Sequence, residues 1–185
     1  MAKQQDFYYD QAFNKINFRE HPELYRIGKG EQGVLSVEPY KSELLPYWRF
    51  KTPEIASVSS QKLYELYQQY KQDRDFVGMD MARKFLQMGF TRSRRYANHR
   101  SGRKYSDETR AEPRPIGQIP AYKAERNREH YVKTRTKKVL PPDPDPQKAR
   151  SAEIFYELYQ KVLQDPVYLE LKEQHLSTYE AKPDG

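Results

Sequence analysis

Apolar residues recur along this chain with helical spacing in several stretches. Leu63, Leu66, Tyr67 and Tyr70 fall at i, i+3, i+4 and i+7, which puts their side chains on one face of a helix. Thr52-Pro53 ahead of them supplies an N-cap and a proline at the first helical position, so a helix is predicted to start near residue 53. Val77, Met81, Phe85 and Met88 give a second helix its inner face over about 75–88, with Gly89 as the predicted C-cap. Phe155, Leu158, Tyr159 and Val162 mark a third helix, opened by Asp145-Pro146, and Asp165-Pro166 opens a fourth in the same way. Together they predict two αα-hairpins, about 53–88 and 146–178. The string YELYQ-x3-QD occurs in both, at 64–73 and 156–165. It reads either as duplication of one hairpin or as convergence of two amphipathic helices on the same few residues.

Outside the helices the pattern changes. LYRI and VLSV are short β-prone runs on either side of GKGEQG, which predicts a β-hairpin with a longer loop over 24–37. The expected fold class is therefore mainly α with a small β-hairpin (α+β). Residues 1–23 are polar with scattered aromatics and read as an N-terminal arm. Residues 24–105 hold the Gly-loop hairpin, the first helical hairpin and a basic segment. Residues 106–145 contain Pro113, Pro115, Pro120 and PPDPDP, and predict an extended basic linker. Residues 146–185 form the second helical hairpin, packing on the same domain.

Composition narrows the class. Hydrophobic residues make up 36%, low for a globular chain, but 16 tyrosines add buriable area, so a modest core with hydroxyls at its edge is expected. The absence of cysteine excludes a disulfide framework and any thiolate ligand or nucleophile. MAKQQDFYYD has no apolar signal region and no stretch approaches 18 apolar residues, so a soluble, cytoplasmic protein without membrane contact is expected. Charge is unevenly placed. The formal net charge is +7, yet residues 82–138 hold 17 Lys/Arg against 5 Asp/Glu. The rest of the chain is net acidic, so the basic stretch reads as a site for an anionic partner, as cations paired internally with the acidic helices, or as a solvated basic surface.

TRSRRYANHRSGRKY, residues 91–105, concentrates that charge. One or two cations at the end of a helix are explained by the helix dipole. Arg92, Arg94, Arg95, Arg100, Arg103 and Lys104 exceed that number, with no acid among them. Arginine suits bidentate phosphate contacts. Tyr96, His99 and Tyr105 lie between the cations and could stack on bases. GKGEQG also matches G-x-G-x-x-G, so Gly28, Lys29, Gly30 and Gly33 are a candidate phosphate loop, although a hairpin loop needing positive φ explains the glycines as well. His21, His99, His130 and His175 form no metal-ligand spacing, and no nucleophile elbow is present. No metal, cofactor or catalytic residue is predicted.

YRIGKGEQGVLSVEPYKSELLPYWRFKTPEIA and DFVGMDMARKFLQMGFTRSRRYANHRSGRKY resemble a family of small uncharacterised proteins, a domain of unknown function, found in bacterial and phage genomes. The resemblance covers about residues 20–105, with a weaker match in the C-terminal helices. It implies no activity, and implies that the Gly loop and the basic segment share one compact unit. Non-enzymatic nucleic-acid binding through phosphate contacts, to DNA or RNA, is the leading expectation. A module docking on an acidic protein is the alternative. The third reading is a small enzyme on an anionic, phosphate-containing substrate, with Lys29, Glu31 and His99 meeting in one pocket.

Overall fold

A computed structural model describes residues 15–104 and 140–180, together with the backbone alone of 109–110 and 134–135. The chain is mainly α-helical. In order, its helices are α1 (Tyr40–Leu44), α2 (Pro53–Gln72), α3 (Phe76–Asn98), α4 (Pro146–Leu163) and α5 (Pro166–His175). The sequence signals for the starts of the long helices act as caps. The Thr52 hydroxyl accepts from the Ile55 N–H, and the Asp75 carboxylate accepts from Gly78. Asp145 accepts from Gln147 and Lys148, and Asp165 from Val167. Each satisfies N–H groups that a helix leaves open at its first turn.

Helix α3 is the centre of the molecule, packed on both α2 and α4. Leu63 and Tyr67 of α2, Met81, Phe85 and Leu86 of α3, and Phe155 and Val162 of α4 are fully buried in one cluster. Helices α2 and α4 run in the same direction along it. Lys148 at the start of α4 donates to the carbonyls of Phe50 and Lys51, just before α2, at 2.9 and 2.7 Å. Lys71 near the end of α2 donates to Asp165, just past α4, at 2.6 Å. The YELYQ echo thus lies on two side-by-side helices serving the same neighbour. Ser59 and Ser151, Leu63 and Phe155, and Tyr70 and Val162 are buried at matching positions of the two.

Two expectations need correction. The second helix does not end at Gly89 but continues to Asn98. Gly89 is there for close packing: a Cβ on it would lie 2.3 Å from Cδ1 of Phe155. The predicted β-hairpin over 24–37 does not form. A 3-10 turn covers Pro22–Leu24, and residues 29–36 make successive turns in which Gln32, Val34 and Ser36 donate to Lys29, Glu31 and Gly33. Gly30 and Gly33 take positive φ, 57° and 83°, as such turns require. Val34 and Val37 are both buried whereas Leu35 is exposed, a spacing of three that a strand does not produce. A two-residue antiparallel pairing joins Thr109–Arg110 to Thr134–Arg135, too short to form a layer. Most of the predicted linker lies outside the described residues. Its last residues run back along the end of α3, where Asp143 and Asp145 donate their N–H groups to the carbonyls of Asn98 and Ala97.

Candidate nucleic-acid interface

The loop that carries GKGEQG is fastened to α3 from below. Asp80 is fully buried and accepts from the hydroxyls of Tyr25 and Tyr168 and from Nε of Arg83. Lys84, also fully buried, donates to the Tyr25 hydroxyl at 2.8 Å and to the carbonyl of Gln32 at 2.9 Å. Arg83 reaches Gln87 at 2.8 Å and, more weakly, the Gly30 carbonyl. Thr91 donates to the carboxylate of Glu31. Burial opposes the charge on Asp80, but Arg83 and Lys84 beside it more than offset this and hold the carboxyl far below its usual range. Burial draws the Lys84 ammonium down in spite of Asp80. Within the loop, the Lys29 N–H is bonded to the Gln32 side chain and the Gln32 N–H to the Lys29 carbonyl. Gly30 and Gln32 turn their carbonyls towards α3, and the Lys29 side chain is exposed. What the glycines supply here is a tight turn over a buried ionic cluster.

The basic stretch begins beside this loop, at Thr91, and runs on past the C-terminal end of α3. Because the helix continues to Asn98, Arg92, Arg94 and Arg95 stand on its last two turns instead of a loop. All three are exposed, and among the described residues none of their side chains makes a hydrogen bond or ion pair. Arg94 lies 5.8 Å from the Phe90 ring centroid. Arg100 is exposed and shared with Asp143 at 3.2 Å and with the carbonyl of Pro144 at 3.1 Å. Arg103 and Lys104 are exposed and follow the turn at Gly102, whose φ is +70°. His99 is half-buried beside Asp143. Tyr96 is half-buried and engaged within the protein: its ring is 6.0 Å from Phe50, Lys148 lies 5.8 Å away, and Gly102 rests against it. Tyr105 lies outside the described residues.

Lys29, Glu31 and His99 do not meet. Glu31 is bonded to Thr91, and His99 follows Thr91 by eight residues, about 12 Å along a helix axis. Among the described residues, no group of three or more His, Cys, Asp or Glu could hold a metal ion, and no helix is long and apolar enough to cross a membrane.

One feature of this end was not read from the sequence. A groove of about 450 Å³ between α3 and α4 is lined by Ala97, Ala149 and Ala152, with Phe90, Tyr156 and Arg94. Tyr156 stacks obliquely on Phe90 with ring centroids 4.8 Å apart and is 43% exposed. The signal available was its register: Tyr156 stands one position off the Phe155, Leu158, Tyr159, Val162 face, an aromatic where a polar residue would do.

A family model described as "Domain of unknown function (DUF4385)" matches residues 8–178 of the chain, which therefore belongs to that family. No curated protein and no solved structure matches.

Proposed function

We propose that this member of the DUF4385 family binds nucleic acid, holding the phosphate backbone at the C-terminal end of α3. The contrast between the two ends of the bundle carries the proposal. At the end where α2 turns into α3, the cations have counter-charges: Arg19 pairs with Glu43, Arg74 with Glu170 and Lys71 with Asp165, each within 2.8 Å. At the other end Arg92, Arg94 and Arg95 stand exposed with no such partner among the described residues. Like charges three residues apart on one helix destabilise it by a few tenths of a kcal/mol. Among the described residues the side chains of Arg92 and Arg95 have no ion pair to offset this, and a bound polyanion would. Arg100 can join them, because an exposed pair such as Arg100–Asp143 is weak and readily exchanged for phosphate.

The backbone mode follows from the residue type. Arginines fanned over a convex helix end offer forked donors to phosphate oxygens without entering a groove. Fluorescence anisotropy of a labelled oligonucleotide at about 50 mM salt tests the reading, since counterion release favours binding most at low salt. Binding should be measurable and should be lost in the Arg94→Glu, Arg95→Glu variant. Undetectable binding to both DNA and RNA, or a charge-reversed variant that binds as well as the parent, overturns it.

A further inference from the structure

We infer that the groove between α3 and α4 is a base-stacking subsite, which makes the ligand a single-stranded nucleic acid. The inference rests on the phosphate-binding reading above and adds to it. A strand of nucleic acid offers a repeating pair of groups, a phosphate and a flat apolar ring a few ångströms away. The end of α3 presents the matching pair. Arg94 is exposed and without an ion pair among the described residues, and it forms part of the groove wall. Tyr156, on the α4 side of the groove, is 43% exposed, and Phe90, also in the groove lining, lies obliquely against its ring.

Small side chains make the space. Ala97, Ala149 and Ala152 leave a volume of about 450 Å³ between the helices, open to solvent along one side. A ring lying against Tyr156 would rest on methyl groups and place its phosphate towards Arg94. Asn98 also lines the groove and is exposed, so its amide can reach the edge of a base. Glu153, the acid of the groove, is exposed and makes a surface ion pair with Arg150 at 2.9 Å.

A duplex cannot use this site, because its bases are stacked on one another and face inward. Single strands present free base faces, and stacking on an aromatic side chain tolerates any base. Tyr96, the tyrosine of the basic stretch that lies within the described residues, is half-buried with Phe50 and Gly102 against its ring, whereas Tyr156 is 43% exposed. Among the described residues, Tyr156 is therefore the more exposed aromatic at this end.

The test compares single-stranded and duplex oligonucleotides of equal length, as DNA and as RNA, against the full chain and its Tyr156→Ala and Tyr156→Phe variants. A single strand carrying 2-aminopurine reports stacking through quenching of its fluorescence. The expected results are preference for single strands, quenching on binding, and affinity weakened about ten-fold or more by Tyr156→Ala. Tyr156→Phe should bind as the parent does, and both variants should keep the parent's salt dependence, because every phosphate-binding arginine is still in place. Equal affinity for duplex, or Tyr156→Ala binding unchanged while Arg94→Glu, Arg95→Glu abolishes binding, overturns the stacking subsite and leaves phosphate binding standing. Absence of binding to any of the oligonucleotides overturns both.

Discussion

Asp80 decides how the Gly loop is held. Its carboxylate is the counter-charge for Arg83 and Lys84, and both cations lie out of water. Replacing it by asparagine keeps the shape and removes the charge, taking the nearest counter-charge from two buried cations. Breaking a buried pair in this way costs about 3–5 kcal/mol. Urea unfolding of Asp80→Asn should show a loss of that order, with part recovered when Lys84→Met is added. A loss below about 1 kcal/mol would mean the cluster is open to water. His175 gives a second prediction at this scale. Burial lowers its pKa below the ordinary value, although the Tyr25 carbonyl and Glu180 favour the charged ring and Arg26 opposes it. The unfolded chain therefore takes up this proton first as pH falls. Its contribution to stability is full above about pH 6.5 and declines below it. Between pH 7.5 and 5 the unfolding midpoint should drop more in the parent than in His175→Gln, which keeps a donor for Tyr25. Equal drops would show that His175 is not the group responsible.

At the scale of elements, the helices were legible because a 3.6-residue apolar period and Asp-Pro or Thr-Pro starts leave little choice. Their ends were less so. Gly89 reads as a stop when only its conformational freedom is visible, and the Phe155 ring that needs its missing Cβ comes from 66 residues away. Alanine is the better helix former by about 1 kcal/mol, so an isolated α3 would gain from Gly89→Ala. In the folded protein the added methyl meets the ring, and overpacking of this kind costs about 1–3 kcal/mol. Gly89→Ala should therefore lower the denaturation midpoint, and Phe155→Leu in that background should restore part of it. A Gly89→Ala chain more stable than its parent would show that Phe155 gives way freely. The hairpin over 24–37 failed as a reading for a related reason. Valine and leucine favour strands only where a neighbouring strand exists, and here Val34 and Val37 are claimed by the core one turn apart.

Across the whole molecule the basic stretch was visible in the sequence, but its setting was not. Charge counts cannot tell a paired cation from an unpaired one. Arg19 and Arg74 look like Arg92 and Arg95 on paper, yet the former find Glu43 and Glu170 and the latter find no carboxylate among the described residues. Tyr96 drew notice by standing among arginines, whereas Tyr156 shares a groove with one of them, Arg94, only after α4 packs on α3. Family membership supplies no activity to weigh against this, so nucleic-acid binding stands or falls with the exposed arginines at the end of α3. The most direct test is the salt dependence of single-strand binding by the parent and by the Arg92→Ala, Arg94→Ala, Arg95→Ala variant. Each arginine that no longer reaches a phosphate of a single strand should reduce the slope of log K against log salt concentration by about 0.7. The expected result is a variant that binds more weakly, with a slope shallower by up to about two. An unchanged slope, or no binding by the parent at about 50 mM salt, would contradict nucleic-acid binding at this end of the molecule.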